Sequence, residues 1–153
     1  MNSVITIITA IIGTVGFSLL FGLNPKLLGY AALGGGISWS VYLLYSNFVS
    51  DNVFLCCFFS TIAVAVFVSI LSSKIEVPTI ILLAPSVLPV VPGSDLYYSF
   101  LYLYKTDWSK FLLHGKNAVL SLFAISMGMT IVYFVKSINY NLRALKKTKQ
   151  TKL

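Results

Sequence analysis

Long uncharged runs alternate with short polar punctuation along this chain. Residues 4–23 carry no charge, and a helix of about twenty residues spans roughly 30 Å, the thickness of a bilayer's hydrocarbon core. Asn24, Pro25 and Lys26 interrupt the pattern, after which residues 27–48 are again uncharged, so the first two runs predict an antiparallel helical hairpin. Ser50, Asp51 and Asn52 mark the next boundary, and a third run over 53–73 is closed by Lys74 and Glu76. The final run, 117–135, follows a polar connection over 105–116 that holds Asp107, Trp108, Lys110 and His114.

The fourth segment breaks the rhythm. Residues 77–91 are apolar but contain Pro78, Pro85 and Pro89, with Pro92 and Gly93 directly after. Pro78 fits a first helical turn, whereas each interior proline removes a backbone donor and clashes with the turn before it. If the helix resumes over 94–104, the interruption falls near the middle of a stretch long enough to cross once. The pattern therefore predicts an all-α, polytopic membrane helix bundle of about five transmembrane helices, the fourth discontinuous at Pro92-Gly93. A four-crossing version, with the proline segment dipping in and out, fits the charge distribution less well.

Composition agrees: 58% of the 153 residues are hydrophobic and 10% charged, where a soluble domain carries about a quarter charged. The net charge of +7 is concentrated at the end of the chain, in Lys136, Arg143, Lys146, Lys147, Lys149 and Lys152, with no acidic residue among them. Such a stretch reads as a basic cytoplasmic tail (136–153) facing anionic lipid, appended to a transmembrane domain (1–135). It lacks the interleaved aromatics of a nucleic-acid groove, so no nucleic-acid partner is expected. With five crossings, Lys26 and Lys74 join the tail inside and the N-terminus lies outside a plasma membrane. Residues 1–6 carry no Lys or Arg and no small-residue cleavage pattern follows, so the first run reads as a span and not a signal peptide.

Candidate chemistry gathers at the interruption. Where a membrane helix breaks, freed N–H and C=O groups become available to a solute. Ser86, Pro89, Pro92, Gly93, Ser94, Asp95 and Tyr97 are the candidate path or gating residues, with the start of the second half-helix pointing its positive dipole end into the break. Asp95 is the one carboxylate this topology allows near membrane depth, which suggests proton coupling; a helix cap facing water is the alternative. A kink that merely shapes the bundle is the alternative for the whole segment.

Small residues mark expected helix contacts. Ala32, Gly36 and Ser40 recur every four residues beside Gly34 and Gly35, and Gly13, Gly16, Ala124 and Gly128 offer matching surfaces on the first and last helices. Cys56 and Cys57 are adjacent in an apolar run, outside any metal-ligand spacing, and read as packing residues. No metal and no cofactor is expected. Ser38 after glycine, with the sole histidine His114, is a weak protease signal: Trp39 crowds the serine and His114 belongs to the polar connection. No catalytic residue is therefore assigned, and the chain is not expected to be an enzyme.

The stretch Leu88-Pro89-Val90-Val91-Pro92-Gly93-Ser94-Asp95-Leu96-Tyr97, with the Gly-rich second segment and Gly128 in the last, resembles the threonine/serine exporter family, specifically its small-subunit or C-terminal-half domain. The resemblance extends over nearly the full chain, and Pro89, Pro92, Gly93 and Tyr97 match its motif. It implies a complete transporter of about ten crossings, as one fused chain or two subunits. The implied partner is then a larger five-helix subunit, although a homo-oligomer is also possible. It further implies export of threonine and serine, or of dicarboxylates such as succinate, coupled to the proton-motive force. Asp95 departs from the small or hydroxyl residue the resemblance leads one to expect. The alternative function is a non-transporting membrane scaffold or assembly subunit.

Overall fold

The computed structural model describes residues 3–49 and 51–150, with side chains through residue 138. It is helical throughout, with no strand among the described residues: α1 (Ser3–Leu20), α2 (Leu28–Phe48), α3 (Val53–Ile75), α4 (Thr79–Val87), α5 (Gly93–Tyr104) and α6 (Trp108–Gln150). Single 3-10 turns occupy Pro25–Leu27 and Leu88–Val90. Four helices are long and apolar enough to cross a bilayer. A fifth crossing results if Thr79–Val90 and Gly93–Tyr104, bent by 57° at their break, form one span. The all-helical membrane bundle with a discontinuous fourth helix is thus the observed architecture.

The polar punctuation acts through specific caps. Asn24 Oδ1 accepts from the Lys26 N–H and Asn52 Oδ1 from the Phe54 N–H, each occupying a donor that a helix start leaves free. At the end of α1, Gly22 takes the left-handed conformation (φ 67°), which lets the Leu23 N–H reach the Ser18 carbonyl. Glu76 (φ 54°) performs the same turn after α3, where Val77 N–H bonds Ser72 O.

α3 is the central helix, packed against α2, α4 and α6. Its buried face mixes Val64, Ala65 and Val68 with Ser60, Thr61 and Ser72, the small polar residues that let membrane helices approach. Ser60 Oγ donates to the Ser38 carbonyl at 2.5 Å, joining α3 to α2 across the seam.

The close approaches differ from the pattern read along the sequence. The buried stripe of α2 is Ala31, Gly34, Gly35, Gly36 and Ser38; Ala32 and Ser40 are only partly buried. A methyl at Gly34 would overlap the Ser86 hydroxyl, and one at Gly35 the hydroxyl of Thr14. At Gly128 it would meet Phe58 O and Thr61 Cβ at 3.1 Å, and Ala124 is fully buried. By contrast Gly13 and Gly16 have no atom within 4 Å of an added methyl, so within this chain they bring no helix close. Their side of α1 is open.

The second difference is the last helix. Residues 108–116 are not a polar connection: α6 begins at Trp108, immediately after a turn at Lys105–Asp107. Asp107 explains the start, since its Oδ1 accepts from the Lys110 N–H and its carboxylate pairs with Lys110 Nζ at 3.3 Å. Those bonds to Lys110 hold the Asp107 carboxyl below its ordinary range. The helix also continues past residue 135 without interruption. Lys136 folds back on the bundle, its Nζ 3.2 Å from Thr79 Oγ1. The remaining basic residues of the tail, Arg143, Lys146, Lys147, Lys149 and Lys152, lie outside the described side chains.

Cross-helix contacts fix the depth of the break. Thr79 Oγ1 lies 2.8 Å from Ser72 Oγ, and Val90 O faces Cys57 Sγ at 4.0 Å. From Ser72 to Cys57 α3 rises about 22 Å, so the first half of the broken span covers most of the bundle before it is interrupted. The break therefore sits about one turn from the start of α3, nearer one rim than the middle. Beyond it, α5 packs principally on the first part of α6, where Ser99 Oγ lies 3.3 Å from a methyl placed on Gly115.

Candidate functional site: the broken fourth span and its rim

Three prolines and one glycine shape the break. Pro85 lies within α4, and Pro89, inside the 3-10 turn, has no N–H to give the Pro85 carbonyl. The chain tightens at Leu88–Val90, where the Val91 N–H takes Leu88 O at 3.1 Å, and then extends through Val91 (φ −63°, ψ 131°). Pro92 precedes α5 without a side-chain cap; the Gly93 N–H turns back to Val91 O at 2.7 Å, and the next amide, that of Ser94, opens toward the break. Pro92 is buried and Pro89 partly so, whereas Gly93 and Ser94 are exposed.

The sequence-nominated residues do not converge on one point. Ser86 is fully buried on α4, its hydroxyl donating to Leu82 O at 2.7 Å and facing Ala31 O at 3.4 Å. It holds α4 to α2 and presents no free donor to the break. Tyr97 points outward, 63% exposed, with its ring edge-on to Tyr98. Ser94 and Gly93 line the accessible start of α5. Asp95 is the one of these residues seen hydrogen-bonded to another side chain among the described residues.

That partner is His114. Asp95 Oδ1 and His114 Nδ1 are 2.8 Å apart, with about a quarter of each side chain exposed. The imidazole is enclosed by aromatic rings of α5: Tyr102 stacks on it at 5.7 Å between centroids and 13° between planes, and Tyr98 lies at 5.3 Å. Lys110 Nζ sits 5.1 Å from the Tyr102 ring centre.

Sequence reading missed His114 because it left residues 105–116 unstructured. The available signal was Asp107 followed by Lys110, a helix start that places Lys110 and His114 on one face four residues apart. Depth also needed correction. Ser121 of α6 lies beside Cys57, one turn into α3, and His114 is about 10 Å further toward the α6 start. Asp95 and His114 thus occupy the rim of the bundle, level with the beginning of α3, and not its centre. As for the weak protease signal, Ser38 faces Ser60 in the α2–α3 seam while His114 is bound to Asp95 on the α5–α6 hairpin.

Two open grooves flank the break. One, of about 360 Å³, runs between α1, Trp39 and the turn at Leu88 and Pro89, with Thr6, Thr9 and Gly13 along it. The other, of about 580 Å³, lies between α5 and α6 and is wholly apolar on its accessible surface. Both open sideways from the bundle.

Comparison with known proteins adds the identity of this architecture. A family model described as Threonine/Serine exporter, ThrE matches residues 6–135, which takes in most or all of each crossing, the proline break and the Asp95–His114 pair. Neither the curated proteins nor the solved structures compared with the chain give a match. Because the match takes in well over half of the sequence, this multi-pass membrane protein belongs to the threonine/serine exporter family, whose members are transporters.

Proposed function

We propose that this chain is the five-crossing half of a two-part exporter that moves threonine- and serine-type amino acids out of the cell, driven by the proton-motive force. Dicarboxylates such as succinate are the second substrate class. The observation that carries the reading is the broken fourth span at Pro92-Gly93, in a chain that matches the exporter family over 6–135. Solute passes the accessible start of α5, where the Ser94 amide is offered to a carboxylate.

The partner is a larger five-helix subunit. Two features support this: α5 leans principally on α6, and the groove between them leaves an apolar face open to a second set of helices. An odd number of crossings also suits an inverted pairing of two halves. The N-terminus lies outside and the basic end inside, against anionic lipid, because the alternative exposes every tail lysine to the outer face.

Cells lacking the chain, loaded with a threonine- or serine-containing dipeptide, are expected to retain the freed amino acid longer than cells that carry it. Equal efflux from both would favour the scaffold reading, in which the break is only a hinge.

A further inference from the structure

Resting on the exporter reading, we propose that Asp95 and His114 together form the site that takes up and releases the coupled proton. The pair has the geometry of a proton carrier. His114 Nδ1 faces Asp95 Oδ1 at 2.8 Å, and no hydrogen bond to the other ring nitrogen, Nε2, is present among the described residues. In the unloaded state the neutral ring donates its Nδ1–H to the carboxylate and keeps the Nε2 lone pair. Uptake places one proton on Nε2 and gives an imidazolium–carboxylate pair; release of that proton restores the neutral ring.

Aromatic and charged groups face the pair from several elements. On α5, Tyr98 and Tyr102 cover the imidazole ring. On α6, the Lys110 ammonium is engaged by Asp107 and by the Tyr102 ring. Lys116 lines the groove between α5 and α6. Across the bundle, Tyr42 of α2 and Cys57 of α3 lie within the electrostatic reach of Asp95. Position matters as much as chemistry. The pair sits at the rim, one helical turn beyond the break, about a quarter exposed, so one proton can exchange with water next to the proposed solute path.

A plain structural staple between α5 and α6 would make the same hydrogen bond. His114→Gln separates the two roles, because the glutamine amide can still donate to Asp95 but cannot gain a proton at neutral pH. Everted membrane vesicles from the native cells, which carry the full chain together with its partner subunit, allow two readings: threonine accumulation driven by an acid interior, and threonine–threonine exchange at equal concentrations without a pH gradient.

The expected result for His114→Gln is that gradient-driven accumulation falls about tenfold or more. Exchange should stay within about twofold of the unaltered protein. The pH dependence of exchange should be flattened. Accumulation at the unaltered level in His114→Gln would overturn the proposal, as would parallel loss of accumulation and exchange. Should the unaltered protein neither accumulate nor exchange threonine, the exporter reading itself fails and the proton site falls with it. Unaltered protein that exchanges threonine but ignores the pH gradient would leave the exporter standing and sink the proton site alone.

Discussion

Gly34 of α2 lies directly against Ser86 of α4, with no room between them for a methyl group. The Ser86 hydroxyl is held by Leu82 O and cannot swing away without losing its bond. Gly34→Ala is therefore expected to destabilise the bundle by about 1–3 kcal/mol through overpacking. Gly35→Ala, which meets Thr14, should act alike, while Gly13→Ala should leave the thermal midpoint of the detergent-solubilised protein unchanged. Equal midpoints for all three would show that α2 and α4 do not approach as closely as described.

Glu76 holds a left-handed conformation that glycine adopts without strain. Glu76→Gly should raise stability by about 1 kcal/mol, because the turn after α3 is kept and the Cβ penalty is removed. A thermal melt in detergent checks this, and a lowered midpoint would mean that the Glu76 side chain contributes more than its backbone strain.

Asp107 caps α6, and its carboxyl is held below the ordinary range first by the Lys110 backbone N–H. A depressed carboxylate contributes stability above its unfolded pKa and loses it as pH falls through the folded one. Protection of the α6 start in hydrogen exchange should accordingly weaken at pH values below the usual aspartate range. Asp107→Ala should weaken it at neutral pH and abolish that dependence. Because the Lys110 and Asp107 side chains are 56% and 36% exposed, added salt should diminish the contribution of Lys110 Nζ as well.

Pro92 removes a donor at the point where the chain turns by 57°. Pro92→Ala gives α5 the option of joining the preceding turn. The expected outcome is normal abundance in the membrane with efflux of threonine lowered about tenfold or more, as a misplaced binding geometry produces. Unchanged efflux would reduce the break to a shape feature.

Much of this architecture was legible in the sequence. Uncharged runs of twenty or so residues have few alternatives to membrane helices, and three prolines with a glycine in nine residues cannot form a straight one. Helix faces were less legible, because α2 is apolar or small on every side and carries no periodic stripe. The buried register Ala31, Gly34, Gly35 and Ser38 was consequently set by what Thr14, Ser60 and Ser86 allow. His114 escaped because its role depends on an antiparallel α5–α6 pairing that brings residues nineteen positions apart together. Depth was hidden for the same reason: only the Cys57–Val90 and Ser72–Thr79 contacts place the break near one rim.

The central claim, that solute moves past the broken span of an exporter, is tested most directly at Ser94. Ser94 is exposed at the start of α5, while Cys56 and Cys57 are 1% and 2% exposed and should react slowly. In cells carrying Ser94→Cys, a membrane-impermeant thiol reagent is expected to stop threonine efflux, and a high threonine concentration should protect both the thiol and the efflux. Full labelling of the introduced cysteine with efflux unaltered would contradict the account.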